Sequence, residues 1–205
     1  MPATPAEARQ FLRRLREKTV RIVQEFAEGR INRRQFQEIY SHYQRQRQAI
    51  EQALIEMPGS GAWRAVAVEG RTTFLRQQHA ARILSYAIYE TASGVPLAEV
   101  GKFQVDTGLL VPMLSSFRSL TQEVFGAGMK RTEIEGGRWL CFIPGRHTTL
   151  IVIFSAEPAE LQLQMLEDLH RDFETANAWA LERGETGKLA LVFTHLWALE
   201  RPPDG

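Results

Sequence analysis

The fold turns on residues 129–154, Met129-Lys-Arg-Thr-Glu-Ile-Glu-Gly-Gly-Arg-Trp-Leu-Cys-Phe-Ile-Pro-Gly-Arg-His-Thr-Thr-Leu-Ile-Val-Ile-Phe154. Three β-prone runs, 129–135, 138–143 and 148–154, are separated by Gly136-Gly137 and by Pro144-Gly145-Arg146-His147. Both interruptions are short enough for antiparallel hairpins. No position in Trp139–Ile143 is polar. The last two strands are therefore expected at the centre of a sheet, covered on both faces. Cys141 falls inside that run, which reads as a core thiol and not as a nucleophile, because apolar surroundings hold a thiol protonated.

Upstream, Ile83–Tyr89 and Val95–Val100 form a further hairpin around Ser93-Gly94. Between the two strand groups, Asp106-Thr107-Gly108 opens a helix with the stripe Leu109, Leu110, Met113, Leu114, Phe117, Leu120, Val124 and Phe125. Pro112 must lie in its first turn, since deeper in it would cost about 3 kcal/mol. Downstream, Pro158 is expected at the first position of a long helix over 159–182. Its stripe reads Leu161, Met165, Leu169, Phe173, Ala176 and Ala180. Gly184-Glu185-Thr186-Gly187 breaks it, and a final short helix is expected within 188–200, with a strand as the alternative.

The N-terminal third is different. A helix is expected over 5–28, stopped by Gly29. Asn32 then caps a second helix, with Gln35 completing a capping box. That helix carries the stripe Phe36, Ile39, Tyr40, Tyr43, Ile50 and Leu54, interrupted by Arg47. Pro58-Gly59-Ser60-Gly61 reads as a linker. Residues 62–79 admit two readings. One is a strand pair, Trp63–Val68 and Thr72–Leu75, turning at Glu69-Gly70; the other is a short helix through 74–82. The expected organisation is a helical hairpin over 1–57, a linker or extra hairpin over 58–79, an α+β domain over 80–200 and a tail over 201–205. The fold class is α+β: an N-terminal helical hairpin, then a five-stranded antiparallel sheet with helices in the order β-β-α-β-β-β-α-α.

That order resembles the roadblock and longin domains. Residues 129–154 resemble the three-stranded meander of the bacterial MglB-type roadblock group, and Glu28–Phe36 resembles the short helical hairpins of SHOCT type. The resemblance implies a homodimer whose contact uses Leu110, Met113, Leu114 and Phe117 of the 109–125 helix, with Arg131 and Glu133 of the following edge strand. It also implies a non-enzymatic platform or regulator for a small Ras-like GTPase or signalling complex. The alternative is a PAS/GAF-like small-molecule sensor, which would hold its ligand in a cavity on the order of 300 Å3 or more between sheet and helix.

Composition narrows the remaining choices. Of the 205 residues, 44% are hydrophobic and 24% charged, which excludes a wholly disordered chain. Net charge is +1, but residues 1–60 carry 11 Arg/Lys against 7 Asp/Glu, whereas residues 80–183 carry 9 against 13. The basic hairpin is thus expected to meet something acidic, either the acids of the 159–182 helix (Glu160, Glu167, Asp168, Asp172, Glu174) or a partner subunit. The candidate partner-binding residues are Arg33, Arg34, Tyr40 and Tyr43 of this hairpin, with Arg146 and His147 at the later strand turn. Aromatic side chains do not interleave with the arginines as a stacking platform requires, so nucleic acid is not expected.

A single cysteine allows no intrachain disulfide. The longest apolar run, Leu150–Phe154, is far short of the roughly 20 residues of a membrane span. The N-terminus has no apolar signal core. A cytoplasmic protein is expected. Gly184-Glu185-Thr186-Gly187-Lys188-Leu189 lacks both the glycine spacing and the Ser/Thr of a phosphate loop. None of the five histidines lies three or four residues from another His or Cys. His170, near Glu167, Asp168 and Glu174, reads as part of an exposed charged face. No catalytic residue, metal or cofactor is expected.

Overall fold

The structure is a computed structural model that describes residues 5–57, 60–67, 71–101, 130–187 and 190–193. It comprises two compact units: Met1–Ala80 with Pro158–Leu161, and Ala81–Glu157 with Gln162–Gly205.

The first unit is helical. α1 (Pro5–Ala27) and α2 (Arg33–Glu56) form the expected hairpin. α1 ends in a Schellman turn: Arg30 N–H donates to Glu25 O at 2.9 Å, Gly29 N–H to Phe26 O at 3.0 Å, and Gly29 takes φ +70°. A side chain at that φ would be strained, which is why glycine stands there. The hairpin buries Ala8, Phe11, Leu15 and Ile22 against Ile39, Tyr43 and Ile50.

The capping box forms as expected. Asn32 Oδ1 accepts from Gln35 N–H at 2.8 Å, and Gln35 Oε1 accepts from Asn32 N–H at 2.9 Å. The same two amides then reach a segment more than forty residues away. Asn32 Nδ2 donates to His79 O at 2.8 Å and Gln35 Nε2 to Arg76 O at 2.7 Å. Those carbonyls belong to the end of a helix, where no backbone N–H remains to satisfy them.

Two helices, α3 (Trp63–Val66) and α4 (Arg71–Gln78), accordingly stand where a strand pair is one of the two readings, and the strand-pair reading is corrected. Trp63 packs on Phe11, ring centroids 6.1 Å apart, and Leu75 packs on the same core. Tertiary burial and the donated caps decide a segment whose local propensity is ambiguous.

The second unit holds β1 (Ile83–Glu90), β2 (Pro96–Val100), β3 (Lys130–Ile134), β4 (Arg138–Pro144) and β5 (Thr148–Phe154) in one antiparallel sheet of order β2-β1-β5-β4-β3. β5 pairs with both β1 and β4, and all seven of its residues are buried. Because successive side chains point to opposite faces, the apolar runs divide between two cores. Tyr86, Ile88, Cys141, Ile143, Leu150, Val152 and Phe154 lie on one. Ala87, Tyr89, Leu140, Phe142, Ile151 and Ile153 lie on the other. Burial on both faces agrees with the expectation from the unbroken apolar strands.

The first of these cores is completed by α5 (Glu160–Ala176) and α6 (Ala178–Glu182), which replace the single helix expected over 159–182. Helical structure begins at Glu160, two residues after Pro158. The break falls at Asn177, whose amide does two jobs. Its Nδ2 donates to Phe173 O and Val192 O, both at 2.8 Å, and its Oδ1 accepts from Val192 N–H at 2.6 Å. Residues 190–193 are a turn and irregular chain, so the expected final helix does not run through them. The expected helix over 109–125 lies outside the described residues.

The stripe expected on α5 is also corrected. Leu163, Leu166, His170 and Phe173 are buried, while Leu161 and Met165 are 49% and 60% exposed. Phe154→Ala, emptying a fully buried site on the central strand, should cost about 3–5 kcal/mol in urea unfolding. Leu84→Ala, at a half-exposed site on the same sheet, should stay within about 0.5 kcal/mol.

Candidate functional site

The most elaborate polar cluster of the second unit surrounds the turn between β4 and β5, where the candidate residues Arg146 and His147 lie. Glu174, about four helical turns along α5, places its carboxylate under this turn. Oε2 accepts from Arg146 N–H at 2.7 Å, and Oε1 accepts from His147 N–H at 2.8 Å and Thr148 N–H at 2.7 Å. The Thr148 hydroxyl adds a fourth bond to Oε1 at 2.9 Å. Three consecutive amides converging on one carboxylate form an anion nest filled from within the chain.

Gly145 makes this approach possible. A Cβ there would stand about 2.5 Å from both Glu174 oxygens, inside any real contact distance. The turn is closed by Gly145 N–H donating to Thr148 O at 2.8 Å, and the neighbouring β1–β2 turn joins it through Thr91 N–H to His147 O at 2.9 Å.

Behind the carboxylate sits His170, with Nε2 at 2.8 Å from Thr148 Oγ1. The hydroxyl has one proton and gives it to Glu174, which as a carboxylate can only accept. His170 must then donate from Nε2, so the neutral ring carries its proton there. Burial pushes the His170 pKa down to about 4, against a smaller upward pull from Glu174. For Glu174, burial acts upward, but the backbone donors of Arg146, His147 and Thr148, with the Thr148 hydroxyl, prevail and hold it below the ordinary carboxylate value. His170 is therefore not part of an exposed charged face, and Glu174 is not a free surface acid.

Thr148, His170 and Glu174 have the residue types of a hydroxyl–imidazole–carboxylate catalytic set, but not its accessibility. Thr148 is fully buried and His170 is 2% exposed, so no substrate atom can reach either. What the arrangement does is hold the turn rigid. The Arg146 side chain remains largely in solvent, 3.7 Å from Glu182 Oε1 on α6, and His147 is half-buried.

The other candidates are spread out. Arg131 and Glu133 are exposed on edge strand β3, opposite Cys141 and Trp139. Arg33 and Arg34 are exposed in the first turn of α2. Tyr40 is half-buried, 5.4 Å from Phe36, and Tyr43 is buried in the hairpin core. Arg34 and Tyr43 lie nine positions apart, about half a turn out of phase; they do not form one surface. Leu110, Met113, Leu114 and Phe117 lie outside the described residues. Cys141 is fully buried, its thiol pushed up to about 12 by burial, with Arg131 acting weakly in the opposite sense. Among the described residues, no group of three or more His, Cys, Asp or Glu is placed to hold a metal ion, and no helix is long and apolar enough to cross a membrane.

These features define an α+β chain with a helical hairpin unit and an antiparallel sheet unit whose central turn is clamped from beneath by a carboxylate. No protein-family model matches the chain, and no curated protein matches it in sequence.

Glu174→Gln should destabilise the protein by about 2 kcal/mol, since the hydrogen bonds lost are to a charged group. Gly145→Ala, which crowds the carboxylate, should cost about 1–3 kcal/mol. Both are read from urea midpoints at neutral pH. The clamp also sets an acid sensitivity. Unfolded His170 takes up its proton near its ordinary value of 6.5, whereas the folded ring resists until about 4. The unfolded chain binds more protons across that window, so stability should fall as pH drops through it, and Glu174 extends the loss at lower pH. His170→Gln should flatten the slope between pH 6.5 and 4.5 in pH-dependent urea titrations.

Proposed function

We propose that the protein is a non-enzymatic interaction module, acting as a dimeric platform or regulator for a small Ras-like GTPase or signalling complex. The observation that carries this reading is the strand arrangement: two strands, then a three-stranded meander and a long helix, with the charged strand β3 at the edge of the sheet among the described residues. An edge strand presents unpaired backbone donors and acceptors, and pairing with a second copy is one way to satisfy them. The clamped β4–β5 turn supports the same reading. It offers Arg146 and His147 on backbone that cannot rearrange, which lowers the ordering cost of a protein contact. The hydroxyl–imidazole–carboxylate group is buried and consumed by the turn, which favours contact over catalysis.

Two measurements test this. Light scattering at tens of micromolar should give the mass of a dimer, and a monomer at that concentration would sink the platform reading. The purified chain should turn over neither GTP nor ATP; turnover that survives stringent purification and is lost on changing Lys188 would make it an enzyme.

A further inference from the structure

The α1–α2 hairpin carries a groove of about 550 Å3 that none of the foregoing uses. Arg9, Arg13 and Arg16 line one wall, from α1, and Arg47 stands on the other, from α2. Leu12 and Leu15 form its apolar floor with Tyr43. The carboxylate that lines it, Glu51, is engaged with Arg47 at 3.6 Å. Arg9, Arg13 and Arg16 are exposed and form no ion pair or hydrogen bond with any described residue. Arg9 and Arg13 are spaced i, i+4, where like charges destabilise a helix. Arg13 and Arg16 also border a second depression of about 440 Å3, lined farther along α1 by Glu17, Val20, Arg21 and Gln24. On the groove side the three arginines form a cationic ridge, while Glu17 and Arg21 both border the second depression.

We propose that this groove binds an acidic amphipathic helix of a protein partner. The span from Arg9 to Thr19 is about 15 Å along α1, which matches three turns of a docked helix. Apolar residues of such a helix meet Leu12, the partly exposed residue of the floor, while its flanking carboxylates meet the arginines, the helix-in-groove mode of recognition. Symmetric pairing of two hairpins through this face would set arginine against arginine, so a second copy using the same patch does not fit. A flat anionic bilayer does not fit either, because Leu15 and Tyr43 lie at the bottom of the groove, 3% and 8% exposed. Among the described residues that line the groove no ring is presented for base stacking, since its aromatic, Tyr43, is in the core.

The test is fluorescence anisotropy on the full chain with a labelled 15-residue helical peptide bearing leucines at i, i+4, i+7 and i+11 between glutamates. Saturable binding at tens of micromolar or tighter is expected, with at least tenfold loss in Arg13→Glu/Arg16→Glu and no change in Arg33→Glu/Arg34→Glu, which lies outside the groove. Arg13→Gln/Arg16→Gln replaces the charge reversal if circular dichroism shows that variant unfolded. The same peptide with glutamine for glutamate, or with a central proline, should bind at least tenfold more weakly. Equal binding of either control peptide, equal loss in the two arginine pairs, or binding only of an oligonucleotide or of phosphatidylserine vesicles would overturn the proposal.

Discussion

The carboxylate of Glu174 is the constraint on which much of the sheet unit depends. It satisfies three consecutive backbone amides at a turn that would otherwise leave them to water. To reach them it needs the vacancy at Gly145. To remain ionised while partly buried it needs all of those donors together, because desolvation alone would push it toward the neutral acid. Thr148 completes the set and hands the requirement on to His170, which must then be neutral and protonated on Nε2. One charged group thereby determines a turn conformation, a glycine, a tautomer and the rotation of a helix.

That last consequence is visible in α5. The helix could have buried Leu161, Met165 and Leu169, a plausible apolar stripe. It instead buries Leu163, Leu166, His170 and Phe173. A histidine in the buried seam would be costly without a partner. The Thr148 hydroxyl supplies one at 2.8 Å, and this phase aims Glu174 at the turn. The displaced Leu161 and Met165 are left half-exposed or more. The polar network and the apolar packing of Leu163, Leu166 and Phe173 select the same rotation.

The helical unit solves a related problem with neutral groups. Asn32 and Gln35 cap the start of α2 through one half of each amide and the end of α4 through the other. Amides suit this task because each carries an acceptor and donors on one rigid plane. In both units, the polar side chains that look most reactive in the sequence are occupied by backbone. Arg9, Arg13 and Arg16 of α1 contrast with them, being charged, exposed and without an ion pair or hydrogen bond to any described residue. Among the described residues, the interior also keeps one buried hydroxyl without a hydrogen-bond partner, that of Ser85.

Much of the architecture was legible from local pattern. Gly29, the Asn32–Gln35 box and the apolar stripes of α1 and α2 specify the hairpin, because caps and periodicity act within a few residues. The nonpolar runs of β4 and β5, each bounded by turn residues, specify central strands buried on both faces, because a side chain on either face of such a strand must avoid water. The helices α3 and α4 were not legible: α4 relies on caps from Asn32 and Gln35, and α3 on burial of Trp63 beside Phe11, all distant in sequence. The phase of α5 was not legible either. Periodicity ranks apolar side chains by spacing and gives a histidine no credit, yet His170 is in the core because a threonine 22 positions earlier accepts its proton. The sequence by itself determined which segments are helices and strands wherever the deciding contacts are local. Only the tertiary structure decided which polar groups are interior, since a buried donor or acceptor is tolerated solely where a partner meets it, and that meeting is made by the fold.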